Sequence, residues 1–186
     1  MSIEHDIFGT APRAKGINSK NKGNTNERVA AKWMEQWTGQ KFARVPQSGG
    51  LHWAGGASVS GDVVAQDDAY RRDFLFSIET KHRKDMTLTK NLRGNSKIYE
   101  FWRQARRDAQ SIGKIPLALF RRDGMRSGVF IVFFEGKRLK DVLIQQGIRP
   151  ECSGECDGVE LNGYLSTEIA DKMPYDKLVL YLPKTT

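Results

Sequence analysis

Two acids and a lysine in the first half of the chain have the types and spacing needed to hydrolyse a phosphodiester. Asp62 stands in S-G-D-V-V, and Glu79 and Lys81 stand in S-I-E-T-K. Glu79 and Lys81 are two apart near the end of a hydrophobic run, so strand alternation turns both side chains to one face. A neighbouring strand that opens at Asp62 can bring its carboxylate beside them, provided the register allows it. Two carboxylates offer hard oxygen ligands to one or two divalent cations. A cation held there polarises a phosphoryl oxygen and helps to generate hydroxide from water. Lys81 can stabilise the charge that develops, or orient the attacking water. The bland alternative is an exposed E-x-K ion pair worth ~0–1 kcal/mol. Against it, a lysine in an apolar strand is costly without an anionic partner.

The elements that must position these groups can be read from periodicity. A helix is expected from Thr25, capped by Thr25 or Asn26, with Val29, Ala30, Trp33, Met34 and Trp37 at helical spacing and Gly39 as its stop. Lys41 to Val45 reads as a short strand. Residues 48–61 hold five glycines and read as a flexible loop. Two strands follow, D-V-V-A-Q (62–66) and D-F-L-F-S-I-E-T-K (73–81), with a polar turn between them. Residues 82–97 are basic and polar and read as an exposed loop. A second amphipathic helix spans Lys97 to Ile112, stopped by Gly113. Strands I-P-L-A-L-F-R-R and G-V-F-I-V-F-F come next, joined by R-D-G-M-R-S-G. The tail offers a helix at Leu139–Gln145 and a last strand at Leu178–Leu182. This order predicts an α/β fold, a mixed β-sheet flanked by helices.

Composition narrows the partners. Thirty Lys and Arg against 22 Asp and Glu leave a net charge of +8, which favours a polyanion such as nucleic acid. No apolar run approaches the ~20 residues of a membrane span, and the first residues carry no apolar signal core. An intracellular protein with no membrane partner is expected. Cys152 and Cys156 are too few ligands for a zinc site and read as structural or incidental. The domain reading is a flexible basic arm at 1–22, a core at 23–135 and a C-terminal extension at 136–186 that completes or decorates it.

K-G-N-T-N-E-R (22–28), the glycine loop, S-G-D-V-V, F-S-I-E-T-K, then Gln104 on a helix and G-K-I-P (113–116) together resemble the PD-(D/E)XK nucleases. Within them the pattern is most like the archaeal-type Holliday junction resolvases and related phage or prophage endonucleases. The resemblance covers roughly residues 22–134. It implies a restriction-endonuclease-like fold, cleavage of DNA, a Mg2+ or Mn2+ requirement, and a homodimer. It also implies a site of Glu27, Asp62, Glu79 and Lys81, with Asp62 and Glu79 on the metal and Glu27 reaching it through water. Gly61 stands where the family name has Pro.

Several roles stay open between a functional and an ordinary reading. Glu27 is either that metal-facing acid or a residue favoured by the helix dipole in a first turn. Gln104 matches a helical glutamine near the metal site, or belongs to a solvated face among Arg103, Arg106 and Arg107. Ser48 matches a loop serine that assists catalysis, or is a turn serine. Trp53 can stack on a base or pin the glycine loop. Arg71, Arg72, Arg83, Lys84, Lys90 and Arg93 flank the expected site and are candidate phosphate contacts. A junction-cutting enzyme needs two sites at fixed spacing, hence a two-fold dimer. The strands Gly128–Phe134 and Leu178–Leu182 are its candidate interfaces, or both simply complete the sheet of a monomer. Other readings are a restriction-like or repair nuclease on linear DNA, and a DNA-binding module of the same fold without catalysis.

Overall fold

One seven-stranded sheet runs through the molecule in the order β1-β2-β3-β4-β5-β7-β6. A computed structural model describes residues 19–45, 60–84, 88–92 and 97–182. Ser48, Trp53 and Arg93 lie outside them.

The strands are β1 (Phe42–Arg44), β2 (Val63–Ala65), β3 (Phe76–Arg83), β4 (Ile115–Arg122), β5 (Ile131–Glu135), β6 (Cys152–Cys156) and β7 (Val159–Leu165). β3 and β4 are parallel over eight residue pairs, from Phe76↔Ile115 to Arg83↔Arg122. Two parallel neighbours need a crossover, and α3 (Lys97–Gln110) supplies it. The other pairings among these seven strands are antiparallel. The mixed α/β sheet expected from the sequence is the one observed.

Two cores sit on its two faces. On one, α1 (Ser19–Thr38) buries Ala30, Trp33, Met34 and Trp37 against Phe76, Ile78 and Leu117, joined by α4 (Lys137–Gln145) through Leu139 and Leu143. Both indoles of α1 are satisfied by the C-terminal part of the chain. Trp33 Nε1 donates to the Ser166 carbonyl at 3.1 Å and Trp37 Nε1 to that of Met173 at 2.8 Å. On the other face α3 packs Ile98, Phe101, Trp102 and Ala105 against Ala118, Phe120 and Phe133.

Four details depart from the sequence reading. α1 begins at Ser19, so residues 19–22 form its first turn rather than part of an arm; that turn is wholly polar and carries no apolar periodicity. The polar turn after β2 is a helix, α2 (Asp68–Asp73), capped by Asp67, whose side chain accepts from Tyr70 N–H at 2.7 Å. The expected last strand, Leu178–Leu182, is instead the end of α6 (Tyr175–Val179) and the turn after it. Leu178 is buried in the core beside α1, whereas Leu180 is 76% exposed, so the apolar residues do not make one strand face. The strand expected over Gly128–Phe134 lies inside the sheet, where β5 is hydrogen-bonded to β4 and β7 and covered on both faces. Neither segment offers the strand interface expected for a dimer.

The basic loop 82–97 is likewise not a free loop along its whole length. Leu92 N–H donates to Ser153 O at 2.8 Å and Ser153 N–H to Lys90 O at 2.9 Å. These bonds lay residues 90–92 along the outer edge of β6. Gly154 permits the approach, because a Cβ there would meet Tyr99 Oη at less than van der Waals distance and the Leu92 carbonyl at 2.6 Å.

Candidate active site

The polar end of β3 emerges between α1 and α3, and the candidate residues gather there. Within β3, Ile78 and Thr80 face α1, whereas Glu79 and Lys81 face α3. Lys81 Nζ lies 5.3 Å from the Phe101 ring centre. Asp62 sits at the mouth of β2 and is locked to both neighbouring strands. Its N–H donates to Ile78 O at 2.8 Å and its carbonyl accepts from Val45 N–H at 2.9 Å. Its side chain accepts the Thr80 N–H at 2.9 Å. Val63 pairs with Ile78, which sets the register that brings Asp62 to Glu79.

Gly61 makes this approach possible. Its φ is +97°, and a Cβ there would lie 2.5 Å from the Ile78 carbonyl oxygen. A proline, held near φ −65°, could not take this conformation. The family's usual residue is therefore excluded by the backbone of this turn.

Asp62 and Glu79 are hydrogen-bonded to each other through their side chains. Glu79 is 5% exposed. Burial, followed by the charges of Asp62 and Asp108, pushes the Glu79 carboxyl up to about 8. Burial also raises Asp62, against the opposing pull of the Thr80 N–H and Lys81. Two desolvated carboxyls in contact cannot both carry charge at low cost, so they share a proton near neutrality. Glu79, whose carboxyl is pushed up to about 8, holds that proton, while the Thr80 N–H and Lys81 favour the charged form of Asp62. A divalent cation can take that proton's place, since both groups are hard oxygen donors. Among the described residues there is no group of three or more His, Cys, Asp or Glu side chains that could hold a metal ion.

Glu27 borders the pair from the α1 side. It lies more than two turns into the helix, so the reading as a first-turn acid favoured by the dipole falls. Its carboxyl is raised by burial and by Asp62, and Arg44 opposes the shift. Arg44 Nε stands 3.2 Å from Glu27 Oε2. Glu27, Asp62, Thr80 and Lys81 line one cleft of about 380 Å³ with Lys22, Asn26, His82, Arg83 and Lys84.

The other candidates divide. Gln104 lines a second hollow with Lys81, Arg83 and Phe101, so α3 does carry it to the lysine. Arg83 and Lys84 are exposed at the rim of the acid cleft. Arg71 is turned inwards, Nη1 donating to Ala65 O at 3.2 Å and Nη2 pairing with Asp68. Arg72 lies beside it around a separate cavity with Lys114 and Phe74. Lys90 is drawn to the outer edge of β6, its carbonyl accepting from Ser153 N–H at 2.9 Å, and it is not among the residues that line the acid cleft. Sequence reasoning missed Asn26, Arg44 and Asp108. Asp108 follows Gln104 by one helical turn, the i,i+4 spacing that places both on one face, and that spacing was available as a signal. Arg44 and Asn26 offered none, since only the tertiary fold brings them to the acids.

A seven-stranded mixed sheet, with acid–acid–lysine at the end of the strand before the crossover helix, has the features of the PD-(D/E)XK class. The family described as "Phage putative PDDEXK endonuclease" matches residues 18–147, and the chain belongs to it. The chain is also similar to Protein D14 of Escherichia phage T5, 26% identical over 110 residues, which covers 58% of this chain. The match spans 66% of that protein, a little under two thirds of its length. No solved structure matches the chain. No helix among the described residues is long and apolar enough to cross a membrane.

Proposed function

We propose that the protein is a metal-dependent DNA endonuclease of phage type, acting inside the host cell on branched DNA, with Mg2+ or Mn2+ held by Asp62 and Glu79. The observation that carries this reading is the register that sets the buried carboxyl of Glu79 beside Asp62 at the end of β3, with Lys81 next to them on the strand. A dead binding fold has no reason to keep three such costly groups together.

The cation would polarise the scissile phosphoryl oxygen and acidify a water. Asp62 and Glu79 would hold it through oxygen, Glu79 giving up its proton. Lys81 presents its charge to the oxygens of the reacting phosphate, and Phe101 supports the lysine stem. Glu27 would accept a hydrogen bond from water on the cation, its carboxylate held by Arg44. Gln104 serves on the α3 side. Arg83 and Lys84, at the rim, take neighbouring phosphates. The nuclease core begins with α1 at Ser19 and runs to residue 135, with 136–186 completing it, and two copies act together so that both strands of a junction are cut.

The test is cleavage of labelled four-way junction and matched linear duplex, with Mg2+ and with chelator. Junction cleavage that needs Mg2+, with junction binding in Ca2+ at least ~10-fold tighter than duplex, or ~1.4 kcal/mol, fits the reading. Equal binding and cleavage of duplex by a monomer would move the substrate to linear DNA. No cleavage of either would refute the activity.

A further inference from the structure

The first helix brings a second polar side chain to the cleft, next to Glu27. Asn26 is 2% exposed. Its Nδ2 donates to Thr80 Oγ1 at 2.5 Å. Its Oδ1 is buried and accepts from no group among the described residues. A buried carbonyl oxygen without a donor costs ~1–3 kcal/mol, so the site calls for a donor that the described residues do not supply. The residue lines the same cleft as Glu27, Asp62 and Lys81.

Thr80 makes the position matter. It lies between Glu79 and Lys81 in the strand, and its N–H holds the Asp62 carboxylate at 2.9 Å. The Asn26 amide therefore grips β3 at the residue that orients Asp62, and does so from the helix that carries Glu27. With Nδ2 engaged by Thr80, the buried Oδ1 is the amide atom left to accept a further hydrogen bond. A leucine of similar size would pack there but could neither grip nor accept.

We infer that Asn26 is a positioning residue of the site. Its Nδ2 fastens α1 to β3 so that Glu27 faces Asp62, and its Oδ1 accepts a hydrogen bond from a water carried by a divalent cation in the cleft. This rests on the metal-dependent reading above. Hydrogen bonds to ligands and their waters hold metal geometry, and losing one commonly costs ~10–100-fold in affinity.

Calorimetric titration of the full chain with Mn2+, after removal of metal with chelator, tests it on wild type, Asn26→Ala, Asn26→Asp and Asp62→Ala, with melting temperatures beside each. Asn26→Ala should weaken Mn2+ binding by about tenfold or more. Asn26→Asp keeps an oxygen toward the cleft and can accept the Thr80 hydroxyl, so it should stay within about threefold of wild type or bind more tightly. Asp62→Ala should lose binding. If Asn26→Ala melts lower yet binds Mn2+ as wild type does, while Asp62→Ala does not bind, Asn26 is a structural staple and the inference is overturned, with the proposed function intact. If Asp62→Ala binds Mn2+ normally, the metal reading itself fails. Should Asn26→Ala not fold, Asn26→Asp decides alone: weakening beyond about tenfold overturns the inference.

Discussion

Replacing Glu79 with glutamine should remove one specific pH dependence from the stability of the metal-free protein. The folded Glu79 carboxyl is held up to about 8, against 4.5 for the ordinary side chain. Between these values the native state keeps a proton that the unfolded chain has released. Stability from this group is therefore complete below pH 4.5 and is lost as pH rises through about 8. His82 acts in the opposite sense: burial, Lys22 and Arg121 lower it to about 4 from 6.5, so its contribution is lost as pH falls. The two effects oppose each other up to about pH 6.5 and separate above it. From pH 6.5 to 8 the wild type should lose up to ~2 kcal/mol through Glu79, at 1.36 kcal/mol per pH unit. At ~2–4 °C per kcal/mol for a chain of this size, that is a fall of ~4–8 °C in melting temperature. Glu79→Gln still donates to Asp62 and does not titrate, so its curve should be flatter than wild type by that amount. Thermal melts or urea titrations of both proteins in chelator at the two pH values give the comparison. Parallel curves would refute the shared-proton account of the pair.

Three further outcomes follow from the same geometry. Because the cation must displace the Glu79 proton, the Mg2+ concentration for half-maximal cleavage should fall by up to ~10-fold per pH unit between pH 7 and 8, measured by metal titration at each pH. Gly61→Ala combines a positive φ with an approach of 2.5 Å to the Ile78 carbonyl, and should destabilise the fold by ~2–4 kcal/mol in urea unfolding. Arg83→Glu with Lys84→Glu should weaken DNA binding and flatten its salt dependence by about one log-log unit for each duplex phosphate that is no longer neutralised, whereas Lys90→Glu, at the far edge of the sheet, should do neither.

What could be read from the sequence was what strong periodicity carries. β3, β4, β5 and α3 bury apolar residues on regular faces, and the spacing of Glu79 and Lys81 follows from strand alternation alone. The pairing of Asp62 with Glu79 needed a register, and that register hangs on one glycine, Gly61, pressed against Ile78. β6 and β7 were not legible: C-S-G-E-C and V-E-L-N-G-Y-L are interrupted by Gly, Glu and Asn, because β6 is an outer strand whose edge residues 90–92 cover. The tail was misread because L-V-L-Y-L has strand-like composition, while the Pro174 start and the burial of Leu178 against α1 favour a helical turn. Arg44 and Asn26 reach the acids only through packing, which no local pattern encodes.

The central claim, that Asp62 and Glu79 hold the cation that drives DNA cleavage, is tested most directly by single-turnover cleavage and DNA binding measured side by side for wild type, Asp62→Ala and Glu79→Ala. The account predicts that both variants lose Mg2+-dependent cleavage while DNA binding stays within about tenfold of wild type, since the basic rim is untouched. Near-normal turnover by either variant at saturating Mg2+ would contradict it.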